Sequence, residues 1–92
     1  MTTPKKIELI MNQVKRLLIT KNKSYGDSAL NPANIFAKGT AVDNLSARID
    51  DKLMRIKNGG INDKTEDTID DLIGYFVLLK IAIENEQEKK NR

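Results

Sequence analysis

Leu72-Ile73-Gly74-Tyr75-Phe76-Val77-Leu78-Leu79-Lys80-Ile81-Ala82-Ile83 is the stretch that decides the fold. Its apolar residues leave Lys80 as the polar break, and they point to every side of a helix that the sequence predicts to start between Asn62 and Thr65 and to run to about Glu86. A helix apolar all round sits at the centre of a bundle or supplies a subunit interface. A chain of 92 residues has few other elements to cover it, so a homo-oligomer, a dimer or tetramer, is expected. Glu66, Asp67, Asp70 and Asp71 fall in the first two turns, where negative charge suits the helix dipole. The charged, apolar-poor tail 84–92 is expected to fray into solvent.

Working outward, Leu45, Ile49, Leu53 and Ile56 form one stripe of a second helix from about Val42 to Lys57, stopped at Asn58-Gly59-Gly60. At roughly 100° per residue, Arg48, Asp51, Lys52 and Arg55 share one flank of that stripe. Ile7, Ile10, Met11, Val14, Leu17 and Leu18 mark an N-terminal amphipathic helix from Pro4 to about Lys21, with Thr3 as its cap. The periodicity stops between Lys21 and Asn31, which reads as a loop, and a single short turn from Pro32 to Phe36 is expected to anchor it by burying Ile35 and Phe36. The whole is one all-α domain, residues 1–92: a small helical bundle of an N-terminal helix and a long helical hairpin.

Composition removes several chemistries. The chain has no cysteine and no histidine, so disulfides, thiolate zinc sites, cysteine nucleophiles and imidazole bases are excluded, and any metal must be a hard, oxygen-bound one. Sixteen basic against 13 acidic residues give a net charge of +3, too mild to make a strong case for duplex nucleic acid. No apolar run approaches the roughly 20 residues of a membrane span, and no signal-peptide arrangement opens the chain, so a cytoplasmic protein without a membrane partner is expected.

Three polar motifs carry the candidate chemistry. Tyr25-Gly26-Asp27, preceded by Lys21, Lys23 and Ser24, reads as a tight turn in which Gly26 takes a positive φ and Asp27 caps nearby amides. It also reads as a nucleotide contact, with Tyr25 stacked on a base and Lys21, Lys23 or Ser24 on phosphate. Arg48, Lys52 and Arg55 are either phosphate grips or a solvated helix face. Asp67 and Asp71 stand four residues apart, so their carboxylates project from one face, continued by Gly74 and Tyr75. They share a magnesium ion or pair with Arg48, Lys52 and Arg55, because desolvated charge must be compensated either way. Cations with interleaved carboxylates suit a phosphorylated ligand, which makes a nucleotide, linear or cyclic, the leading partner.

Lys23-Ser24-Tyr25-Gly26-Asp27, then Arg48-Ile49-Asp50-Asp51-Lys52-Leu53-Met54-Arg55-Ile56-Lys57, then Glu66-Asp67-Thr68-Ile69-Asp70-Asp71-Leu72-Ile73-Gly74-Tyr75 together resemble the phage-rich family of the nucleotide modification associated domain, type one. The resemblance covers about residues 20–83. It implies an all-α domain distantly similar to the MazG and dUTPase group of nucleoside triphosphate pyrophosphohydrolases, and a phage or prophage origin. MazG-like enzymes hold magnesium with a Glu-x-x-Glu pair on one helix and a Glu-x-x-Asp pair on the next. Asp71 matches the last of these acids, but Thr68 stands where its partner is expected, and the second helix has no Glu-x-x-Glu.

The expectation that follows is a small phage-type protein that binds and sequesters a nucleotide without turnover and without a cofactor. In a phage the attractive target is a cyclic nucleotide signal of host defence. The alternative is a magnesium-dependent pyrophosphohydrolase or nucleotide-modification enzyme, with Asp51, Asp67 and Asp71 as metal ligands and Lys52 or Arg55 on the phosphates. A weaker third is a partner protein for a host or phage enzyme that docks through the apolar third helix.

Overall fold

The computed structural model describes residues 1–62, 64 and 67–91. They form three helices, α1 Thr3–Ser24, α2 Ala41–Gly59 and α3 Thr68–Lys90, and no strand. Helices α2 and α3 pack against each other as a hairpin, and α1 lies on α3. The all-α bundle of an N-terminal helix and a helical hairpin is therefore the architecture, and among the described residues no helix is long and apolar enough to cross a membrane.

Each boundary has a local cause. Thr2, rather than Thr3, stands at the N-cap position of α1, with no side-chain capping bond, because Pro4 fits anywhere in a first turn. The helix runs on past Lys21 to Ser24, so Lys23 and Ser24 belong to its last turn and not to a loop. Lys21 and Lys23 there complement the dipole, and the helix ends only where Gly26 and Asp27 both turn to φ 61°. The Tyr25 and Gly26 amides donate to the Lys21 and Lys23 carbonyls and close that end.

Residues 31–40 contain no helical turn, and Ile35 and Phe36 are not buried: Phe36 is 96% exposed. Asn34 takes φ 52°, and its side-chain amide donates to the Gly39 carbonyl, so the connector closes on a polar contact. Thr40 then opens α2 with a capping box. Its hydroxyl accepts from the Asp43 amide while the Asp43 carboxylate accepts from the Thr40 amide. Gly60 at φ 83° closes α2 by donating to the Ile56 carbonyl. On its inner face Leu45 and Ile49 are buried, but Leu53 is half exposed and Lys52 takes the more sheltered position. The 3.6-residue period rotates position 53 toward the edge and brings 52 inward.

Helix α3 starts at Thr68, later than the expected 62–65, because Asp67 serves as its N-cap and accepts from the Asp70 amide. Asp70 and Asp71 thus occupy the first turn and Asp67 stands before it, while Glu66 lies outside the described residues. At the other end the expected frayed tail is helical to Lys90. A Lys80–Glu84 ion pair one turn apart supports it, and Lys89 and Lys90 meet the negative end of the dipole. The core centres on Leu45, Leu78 and Ala82, with Leu18, Leu30, Val42, Tyr75 and Leu79 packed around them. Apolar on every side, α3 still buries only one arc: Ile69, Phe76 and Ile83 remain exposed.

Candidate functional site

Where the last two turns of α1 meet the first two turns of α3, the chain leaves a cavity of about 170 Å³. Close approach creates its floor. Gly74 is buried, and a Cβ there would lie 3.3 Å from a methyl of Leu18, so the missing side chain sets how near α1 can come. Val14, Leu17, Leu18 and Leu78 form the apolar wall, with Ala29 beside them. Lys21, Asn22 and Tyr25 come from the end of α1, Ser28 from the following turn, Arg48 from α2, and Asp70, Asp71 and Tyr75 from α3.

Five of the residues singled out in the sequence therefore converge: Lys21, Tyr25, Arg48, Asp71 and Tyr75. Both tyrosines of the chain are among them. Asp71 joins the three helices. One carboxylate oxygen receives the Lys21 ammonium at 3.3 Å and the other receives Lys52 at 3.1 Å, so Lys52 acts on the cavity through Asp71 and does not line it. The Lys52 pairing is one the sequence offered; the Lys21 pairing depends on how α1 is placed.

The remaining candidates lie elsewhere. Lys23, Ser24 and Gly26 are exposed and off the cavity wall. Asp27 does not cap backbone amides; its carboxylate accepts from the Asn31 side-chain amide at 2.7 Å, which pins the turn after α1. Asp51 and Arg55 are exposed on α2 outside the cavity. Asp67 is occupied with the cap of α3. Among the described residues no group of three or more acidic side chains is gathered that could hold a metal ion.

Asn22, Ser28 and Asp70 line the cavity without having been marked as site residues. The signal for Asn22 was present: once α1 extends to Ser24, Leu18, Lys21, Asn22 and Tyr25 fall at three- and four-residue spacing on one face. Among the described residues Asp70 is the titratable group with a displaced acidity. Burial pushes its carboxyl above the usual carboxylate range, helped by a hydrogen bond with the Asp67 side chain and by the charges of Asp67 and Asp71, against a smaller opposing pull from Lys21. The cavity thus presents the Arg48 guanidinium, the Lys21–Asp71 ion pair, a carboxyl of weakened acidity, one amide, one hydroxyl and two phenol rings.

No protein-family model matches the chain, and neither a curated protein nor a solved structure matches it.

Proposed function

We propose that the chain binds a nucleotide in the cavity between α1 and α3 and retains it intact. One observation carries this reading: both tyrosines converge with Lys21, Arg48, Asp70 and Asp71 on one apolar-floored cavity. Aromatic rings offer a stacking surface for a base, and the Arg48 fork is suited to phosphate oxygens. At about 170 Å³ the space is smaller than the roughly 300–1,000 Å³ of pockets that enclose drug-sized ligands. It suits one base with its sugar, the phosphates resting at the rim beside Arg48. The two lysines on Asp71 favour retention over turnover, because a carboxylate held by ammonium groups is a poor ligand for a second cation.

The resemblance of the three polar motifs to the phage-rich nucleotide modification associated domain supports a nucleotide ligand, and the departure from the MazG-like acids, with Thr68 in place of one and no Glu-x-x-Glu on the second helix, supports retention over turnover. Under this reading the protein withdraws a nucleotide from solution, a cyclic signal of host defence being the target of choice. The test is incubation of the purified protein with linear and cyclic nucleotides plus magnesium, then denaturation and chromatography of what is released. Intact nucleotide recovered with wild-type protein, and lost with Tyr25→Ala or Arg48→Ala, is the expected result. Conversion to monophosphate and pyrophosphate would overturn it in favour of a magnesium-dependent enzyme.

A further inference from the structure

The apolar stripe of α1 outruns its support. Val14 is buried and Leu18 half-buried against the hairpin, yet Ile7, Ile10 and Met11, on the same stripe, are 57, 47 and 52% exposed, and residues 3–13 are exposed throughout. A helical segment of that length, exposed at every position, is marginal in water, since an isolated helix needs more than about 12–15 residues even with good formers. Helix α3 has the complementary deficit. Ile69, Phe76 and Ile83 recur at seven-residue spacing and are 42, 52 and 41% exposed. Seven-residue recurrence is the pattern of a seam that receives another helix.

We propose that a second copy of this chain covers both stripes, the protruding half of α1 from one copy lying along the Ile69–Phe76–Ile83 seam of the other. Area argues for this occupant. The chain exposes 7354 Å², about 2,000 Å² more than the roughly 5,400 Å² typical of a folded monomer of its mass. Its radius of gyration is 15.0 Å against about 12 Å for a compact domain of its length. A surplus of that size matches the roughly 1,000–2,500 Å² per partner that obligate homodimers bury. Two unpartnered helical surfaces on one chain also let a symmetric pair satisfy both at once, which a single foreign helix would not. Leu17, half exposed on the α1 stripe, is at the same time a wall of the cavity, so the contact would run to the mouth where Tyr25 stands open.

The contact does not depend on what the cavity holds, so it is tested without nucleotide. Sedimentation equilibrium on wild type, Ile10→Asp, Phe76→Asp and the connector control Phe36→Asp is paired with circular dichroism. The expected result is a dimer or larger for wild type and Phe36→Asp and a monomer for Ile10→Asp and Phe76→Asp, with helix loss confined to about the first half of α1. A monomeric wild type, or an Ile10→Asp variant of unchanged mass, would overturn the proposal. A Phe76→Asp variant of unchanged mass would overturn the α3 seam as the receiving surface. Ile10 is 47% exposed and stands outside the core cluster, so its variant decides the question even if Phe76→Asp fails to fold. A monomer that retains nucleotide would sink this contact alone, and an oligomer that retains none would sink the site reading alone.

Discussion

Asp71→Asn removes a carboxylate that pairs with both α1 and α2 from α3, and the structure sets the size of the loss. The Asp71 and Lys52 side chains are each 18% exposed at 3.1 Å, whereas Lys21 is 48% exposed at 3.3 Å. A hydrogen bond to a charged partner contributes about 1.5–3 kcal/mol net, and losing one side of a fully buried ion pair costs roughly 3–5 kcal/mol. The Asp71–Lys52 pair is short of full burial, so Asp71→Asn should destabilise by about 2–3 kcal/mol. Lys21→Met removes only the more exposed arm and should cost under about 1 kcal/mol. For a domain of this size each kcal/mol moves Tm by about 4–8 °C, which puts Asp71→Asn roughly 10–20 °C below wild type. Thermal and urea unfolding followed by circular dichroism at one fixed protein concentration measures both variants. Equal losses for the two, or an Asp71→Asn variant within about 0.5 kcal/mol of wild type, would refute the assignment of Asp71 as the junction of the bundle.

Asp70 holds its proton more tightly in the folded chain than in the unfolded one, so between the ordinary carboxylate range and its raised value stability falls as pH rises and is flat above. Asp70→Asn should accordingly be more stable than wild type at neutral pH and lose that advantage on acidification into the ordinary carboxylate range, read from urea midpoints across pH. Thr68 is 2% exposed and its hydroxyl has no partner, so Thr68→Val should be neutral or stabilise by about 1 kcal/mol in the same assay. Gly74→Val pushes into Leu18 and should cost about 1–3 kcal/mol, with the chemical shifts of Val14, Leu17 and Leu18 moving most as α1 lifts from α3.

Periodicity carried most of the fold. The 3.6-residue recurrences of α1 and α2 and the apolar length of α3 gave the helices and their order, because burial of one stripe is a local property of sequence. Capping displaced the boundaries. Asp67 can cap a helix or begin one, and which it does depends on the residues around it. The connector differs from its reading because Ile35 and Phe36 stay exposed while the segment closes on the polar Asn34–Gly39 contact, and apolarity alone does not say whether a side chain will be covered. In the site, Lys21, Tyr25, Arg48, Asp71 and Tyr75 were legible as charge and aromatic content in polar motifs. The Lys21–Asp71 pairing was not, since it joins residues 50 positions apart and depends on how α1 lies on α3. Lys23, Ser24 and Asp27 share the motif of Tyr25 but point away from the cavity, because a helical end turns successive residues to different sides.

Both tyrosines line the cavity and the chain contains no tryptophan. Its tyrosine emission, excited at wavelengths that phenylalanine does not absorb, therefore originates at the candidate site. Tyr25, standing open at the mouth, and Tyr75, set into the wall, form an intrinsic optical reporter that needs no label. Quenching on titration with a candidate ligand reads occupancy directly, and an unstacked ring relaxing on dilution would read any closure of the mouth by a neighbouring copy. Tyr25→Phe and Tyr75→Phe separate the two signals while leaving each ring in place.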